Sequence, residues 1–482
     1  MLCPKNAVSL VGLVKLVHSV CFVYLVDLVH LMSLRQPNKL NKPNRPNKQP
    51  RLAGIFSLLL VVLIMGIAGT AHAQYASSCG RSWSPSQVAG TGFLEVVPSL
   101  CVSERYDSNV FFRPPTPGLQ RDDFVTNVTT VFRVNFNGRY ASAVLNAGGF
   151  GEAYIKNPDL NFLGTVNSLN LNLDNTIKRW LPNASLRIVE ALSYTPLPPG
   201  FANPTPGTSP DDPGNIQDVY AQGILFRRTN NLRNSGTVSA SYATTAVTSL
   251  NASYSYSLLR FGSSPTAEGV DPNLTQTPVN LFNTTSQTGA VGGTARLSEL
   301  DTMNIRYAHT QSEFNLGATS HFFITDTATI GWSRTLTPNL RTELGGGGIL
   351  ISPGLTTYAA NAALIMNFQN NSATISYLRS AFPSFVNNGE PLIGDRFSLS
   401  AIQMIDRKWQ LSETANYMHT TGGSGIDRNS YFASVGLNYW ITGIWSTSLN
   451  YQYMKFENSQ TGLSSNDFDR HVIMFSVNTS WG

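Results

Sequence analysis

Residues 249–258 read Ser-Leu-Asn-Ala-Ser-Tyr-Ser-Tyr-Ser-Leu. In an extended chain Leu250, Ala252, Tyr254, Tyr256 and Leu258 fall on one face, while Ser249, Asn251, Ser253, Ser255 and Ser257 fall on the other. A period of two marks a β-strand with one apolar and one polar side. The same pattern recurs at Tyr431, Ala433, Val435, Leu437 and Tyr439, at Trp445, Thr447, Leu449, Tyr451 and Tyr453, and at Ile473, Phe475, Val477 and Trp481. Strands of a soluble sandwich usually span about 5–6 residues. Many of these runs reach roughly 10–14, enough to cross a bilayer at a tilt.

Composition points the same way. The 482 residues are 13% charged and 10% aromatic, with 39 Gly, and the mean hydropathy is -0.08. Soluble domains carry about 25% charged residues, and beyond residue 73 no run approaches the ~20 apolar residues of a spanning helix. These features predict an all-β fold, an antiparallel transmembrane β-barrel of about 16–18 strands. Eighteen alternating runs can be drawn, near 93–104, 123–136, 139–153, 165–178, 183–196, 231–244, 247–261, 281–298, 299–312, 319–334, 339–352, 355–369, 371–385, 395–406, 408–420, 428–441, 443–457 and 468–481. Every second connection is tight, as at Asn137-Gly138, Thr245-Ala246, Gln369-Asn370 and Ile441-Thr442, and most of the others are long, as in Pro196 to Asn230. Short turns at one rim and long loops at the other are the habit of such barrels. The connection Ser352 to Gly354 breaks the trend, which keeps sixteen strands open. Trp180, Trp332, Trp409, Trp440, Trp445 and Trp481 all lie beside tight turns or the C-terminus, where an aromatic girdle at the periplasmic interface is expected.

The net charge of +5 is unevenly placed. Residues 1–73 hold eight of the 33 Lys/Arg and one of the 28 Asp/Glu, so the remainder carries 25 basic against 27 acidic residues. Lys48 and Arg51 precede the apolar run Leu52 to Ala68, and Ala71-His72-Ala73 supplies the small residues of a cleavage site. The expected organisation is an atypical extension at 1–50, a signal peptide at 51–73, a periplasmic lead-in at 74–92 and the barrel at 93–482. A start codon placed too far upstream explains the extension most simply. Cys79 and Cys101 remain in the mature chain, and in an oxidising periplasm such a pair reads as a disulfide. No metal-ligand spacing accompanies them.

From Phe93 to Phe112 the chain reads FLEVVPSLCVSERYDSNVFF. This stretch, with Tyr106, Asp107, Ser108, Asn109, Val110 and Phe111 as its core, resembles the opening strand of the β-barrel porin type 2 family. The Tyr-rich penultimate strand, the polar loop from Glu457 and the closing strand to Trp481 are similar too. The resemblance implies an outer-membrane barrel and, because part of that family accompanies exopolysaccharide systems, passage or assembly of such polymers. One departure is the ending Trp481-Gly482, where a terminal Phe is usual.

No catalytic constellation stands out, so no enzyme and no cofactor is expected. His309 and Ser312 are close in sequence but lack an orienting third group. Gly345 to Gly348 lack the Lys-Ser/Thr of a phosphate loop and sit inside a predicted strand, where a bend or a close backbone approach explains them. The acids Asp107, Asp122, Asp123, Asp211, Asp212, Asp467 and Asp469 lack calcium-loop spacing and are expected to keep outer loops solvated. With the apolar faces toward lipid, Arg133, Arg187, Arg306, Arg341 and Arg396 project into the lumen against Glu95 and Glu343. Rings of charge set ion preference, so a mild anion preference is expected. Glu413 shares a face with Trp409, Leu411, Ala415 and Tyr417, which predicts a local register shift. The expected setting is the outer membrane of a Gram-negative bacterium. Its partners there are outer-membrane lipid, the barrel-insertion machinery, and polysaccharide or small solutes, not nucleic acid. Two functions compete: a porin-like channel or export conduit, and a filled structural or surface-interaction barrel. The ~20 residues between Gln74, the expected mature N-terminus, and Phe93 are too few for the plug domain of an energised transporter.

Overall fold

The structure, a computed structural model, describes residues 93–112, 114–115, 120–195, 230–262, 283–316, 319–383, 391–422, 427–458 and 467–481. The leader, Cys79, Asp211 and Asp212 lie outside the described residues. Eighteen strands form one sheet: β1 (Leu94–Asp107), β2 (Asp123–Asn137), β3 (Ser142–Tyr154), β4 (Phe162–Asn172), β5 (Ala184–Thr195), β6 (Asn231–Ala243), β7 (Thr248–Phe261), β8 (Asn283–Arg296), β9 (Asp301–Leu316), β10 (Thr319–Thr337), β11 (Leu340–Ile351), β12 (Leu355–Asn367), β13 (Asn371–Pro383), β14 (Pro391–Met404), β15 (Trp409–Gly422), β16 (Asp427–Trp440), β17 (Trp445–Asn458) and β18 (Phe468–Ser480). Each strand pairs antiparallel with its sequence neighbour, and β1 pairs with β18 over Ser99–Asp107, so the sheet closes on itself. Closure removes the unpaired edges that a bilayer cannot tolerate.

The strand number settles at eighteen. Ser352-Pro353-Gly354 is a tight connection at the long-loop end, and Gly354 takes φ 93° there, a conformation natural to glycine. β4 stops at Asn172, well before the expected 178. Asn172 Oδ1 accepts the Asp174 N–H at 2.8 Å and Asp174 Oδ1 accepts the Leu186 N–H at 2.9 Å, so these side chains divert the backbone into a helical turn at Asp174–Ile177.

The two faces of the wall have opposite chemistry. Phe132, Val238, Ile305, Leu344, Ile375, Val435 and Phe475 stand exposed on the outside. Their paired neighbours lie on the same outer face, while Ser, Thr, Asn and Arg line the inside. Trp332, Trp409, Trp445 and Trp481 lie on the outer face at the tight-turn end, and Trp180 is exposed in the β4–β5 turn. Trp440 departs from them. It pairs with Ser446 one position beyond the outward Tyr439, and so falls on the lumen side. A second aromatic row, of tyrosines, marks the other boundary of the belt. Tyr307 donates to Asp326 at 2.5 Å, Tyr377 to Asp395 at 2.6 Å, Tyr417 to Asn429 at 2.9 Å and Tyr254 to Gln287 at 3.1 Å. Amphipathic rings belong where hydrocarbon gives way to headgroups. From Tyr439 to Tyr431 on β16 the belt spans eight residues, roughly 20 Å at the usual rise and tilt.

Phe132 lies midway along the outer face of β2 and is 54% exposed. Phe132→Arg is expected to lower the unfolding free energy by about 2–4 kcal/mol, since a cation at the bilayer midplane costs that much. Urea unfolding in lipid vesicles measures it. Glu190 and Glu413 also occupy the outer face within the belt. β15 pairs with β14 and β16 without interruption, placing Glu413 opposite Ala401 and Val435, so the expected register shift is absent. No contact among the described residues accounts for this carboxylate.

Candidate functional site

Because side chains alternate, every charged residue in phase with the polar face enters the lumen. All six residues expected there, Arg133, Arg187, Arg306, Arg341, Glu343 and Arg396, lie on the lumen face. They are joined by Arg105, Arg233, Arg296, Arg428 and Arg470, and by Glu95, Asp107, Asp123 and Glu152. Among the described strand residues the lumen face therefore holds ten arginines, five carboxylates and no lysine.

These charges form two levels, apart from Arg396, which lies opposite Met418 and nearer the long-loop end. Arg133, Arg187, Arg296, Arg306 and Arg341 lie toward the tight-turn end with Glu95 and Glu343. Arg187, Arg296 and Arg341 are exposed, and the other two arginines partly so. Arg341 Nη2 pairs with Glu343 Oε1 at 2.5 Å. Arg133 Nε donates to Asn135 Oδ1 at 3.0 Å, and Asn135 in turn donates to Glu95 at 2.9 Å. Arg187 Nε donates to Asn170 at 3.0 Å. This half of the wall is otherwise mainly Ser, Thr, Asn and small residues; some of its residues are buried, among them Val97 opposite Arg133, Ala363 opposite Glu343, and Ser446, Ser448, Ser476 and Asn478 on β17 and β18.

Toward the long-loop end the lumen is packed. Arg105, Arg233, Arg428 and Arg470 are buried together with Asp107, Asp123 and Glu152. Leu259, Phe314, Phe323, Ile349 and Ile351 form one apolar cluster on the inner wall. Phe382, Leu392, Met418, Phe432, Met454, Phe456 and Phe468 form another, and Phe112 belongs to it. Val110 and Phe111 pack on Val125, Tyr154 and Leu160. The chain leaving β1 thus turns into the barrel and does not extend outward.

The element that carries the family resemblance makes this turn. Asp107 is 1% exposed and takes a two-point contact from Arg470, Nε at 2.9 Å and Nη2 at 2.5 Å. Forked geometry of this kind is the strongest pairing a carboxylate makes with a side chain. Asp107 also accepts the Asn109 N–H at 3.1 Å, and Asn109 Nδ2 donates to the Asp469 carbonyl at 3.1 Å. Ser108 N–H donates to the His471 carbonyl at 2.9 Å, and its hydroxyl accepts the His471 N–H at 2.7 Å. Arg105 bonds Glu152 and Tyr154, each at 3.2 Å. The motif therefore clasps β1 to β18 where the barrel closes. Tyr106 faces outward against Phe124, while Asn109 and Phe111 are buried.

Two acids expected to solvate loops do the opposite. Besides Asp107, Asp123 is fully buried and accepts the N–H groups of Ile155, Lys156 and Asn157 and the Asn157 side chain, at 2.8–3.1 Å. Polar backbone in the β3–β4 turn needs those acceptors. Asp122 behaves as expected: it is partly exposed, and its hydrogen bond from Lys156 holds it below the ordinary carboxylate range. That tie is present near neutral pH and is lost as pH falls through the lowered value. His309 and Ser312 lie on opposite faces, His309 outward on Asp326 at 2.9 Å and Ser312 inward on Ser286 at 2.9 Å, so they form no joint site. In the glycine run, a Cβ on Gly347 would stand 1.9 Å from the Ala328 carbonyl oxygen, a close backbone approach. Cys101 is buried and disulfide-bonded.

No family model matches the chain, and no curated protein matches it. Among solved structures, OccK3 (OpdO) of Pseudomonas aeruginosa is 13% identical, with 80% of this chain and 96% of that one covered and a TM-score of 0.40. OccK2 (OpdF) of the same organism is 13% identical, with 81% and 99% covered and a TM-score of 0.43. OccK1 (OpdK) is 12% identical, with 81% and 100% covered and a TM-score of 0.42. Likeness this distant carries nothing about solutes.

Proposed function

We propose that the chain is a porin-like channel of the Gram-negative outer membrane, its tight turns in the periplasm and small anions its favoured solutes. The observation that carries this reading is the accessible lower level of the lumen, where five arginines stand against two glutamates on a wall of small polar side chains. Barrels of 16–18 strands leave room for water. Guanidinium forks match carboxylate and phosphate oxygens, and the surplus survives the Arg341–Glu343 pair. In a planar bilayer with a salt gradient, the reversal potential is expected to carry the sign of anion preference. Clear cation preference would overturn the reading.

Export of exopolysaccharide, which the family resemblance implies, draws less support. Trp440 is the one aromatic ring on the lower lumen face among the described strand residues, so a sugar polymer finds no stacking track there. A filled, structural barrel has the packed long-loop end in its favour. Liposome swelling with sugars of increasing size separates it from a channel: permeability no higher than that of empty liposomes supports the filled barrel.

A further inference from the structure

We infer that Ser108–Phe112 is a displaceable gate at the long-loop end of the lumen, hinged at Ser108 and latched by Phe112. The inference rests on the channel reading above. The wall is complete without this segment. The ladder of β1 with β18 ends at the pair Asp107–Val472, and that of β1 with β2 ends at Asp107–Asp123, so the segment can move without opening either.

Beyond Ser108 the segment's own backbone bonds turn back on themselves. The Val110 N–H donates to the Arg121 carbonyl at 2.8 Å and the Phe112 N–H to the Asn109 carbonyl at 3.3 Å, both within the β1–β2 connection. Side chains tie it to the wall: Asn109 to the Asp469 carbonyl, Val110 and Phe111 to Val125, Tyr154 and Leu160, and Phe112 to the apolar cluster formed by β13–β18. Phe112 has φ 55°, the one non-glycine residue among those described with a positive φ, and a bulky side chain resists that conformation. Its ring is 3% exposed, lies edge-on to Phe468 with centroids 6.2 Å apart, and sits 4.4 Å from the Arg470 guanidinium carbon. A strained residue held by its contacts is a latch that releases once those contacts are lost. Below the latch lies the accessible arginine level. Withdrawal of the whole segment, Val110 and Phe111 following Phe112, would open the long-loop end toward that level without any strand moving.

The test compares mean current through the wild-type barrel with that through Phe112→Ala and Phe112→Leu in planar bilayers, with heat-modifiable gel mobility confirming that each barrel is folded. A several-fold rise for Phe112→Ala, with Phe112→Leu close to wild type, is expected. If wild type and Phe112→Ala conduct alike, the gate is overturned and the channel stands; if neither conducts, both are overturned. Should Phe112→Ala fail to fold, Phe112→Cys is exposed to a membrane-impermeant thiol reagent added from the loop side. Reaction that quickens as current rises supports the gate, and a conducting barrel that never reacts overturns it.

Discussion

Asp107→Ala is expected to lower the unfolding free energy by about 3–5 kcal/mol, the cost of leaving a buried ionic partner uncompensated. In the native barrel Asp107 lies between two guanidiniums, with Arg470 bonded to both carboxylate oxygens and Arg105 Nε 3.8 Å away. Removing the carboxylate takes the two-point contact from buried Arg470 and one of two nearby carboxylates from buried Arg105, which keeps its bond to Glu152. It also frees the Asn109 N–H and loosens the seam between β1 and β18. Urea unfolding followed by tryptophan fluorescence gives the magnitude, and Glu104→Ala, on the exposed outer face next door, serves as the control. A midpoint unchanged within error would show that the clasp contributes nothing to stability.

Reversing the lower charge level is expected to invert ion preference. In Arg133→Glu/Arg187→Glu/Arg306→Glu, two arginines remain against five carboxylates, so the sign of the fixed charge flips while the wall keeps its strands. The effect should be largest at low salt, where the Debye length of about 10 Å at 0.1 M reaches from the wall into the channel, and should shrink at 1 M, where it is about 3 Å. Reversal potentials at both concentrations check both parts. A folded triple variant that keeps the wild-type sign would mean that ions do not pass this level.

The barrel was legible because its two solvents impose opposite demands on alternate residues. The run at 249–258 needs no tertiary knowledge to be read, and the same parity placed Arg133, Arg187, Arg306, Arg341 and Arg396 in the lumen. Parity also held the signal for Arg470, which alternates with outward Ile473 and Phe475, and for Arg105, in phase with Cys101 and Ser103. What alternation cannot say is whether a connection turns outward or inward. Asp107 and Asp123 therefore read as loop acids although both are buried, and Phe112 reads as an ordinary loop residue. Trp440 escaped for a smaller reason: it ends its strand, where one position of phase separates the lipid rim from the lumen.

The clasp links residues 107 and 470, almost the full length of the barrel apart in sequence. Loop-closure entropy makes such a contact slow to form unaided. Biogenesis must therefore hold the first strand with an open edge until the last arrives, and that edge is the species most exposed to aggregation. Fastening of Asp107 to Arg470 then marks the end of assembly, and a barrel stalled before it should be the form most sensitive to protease.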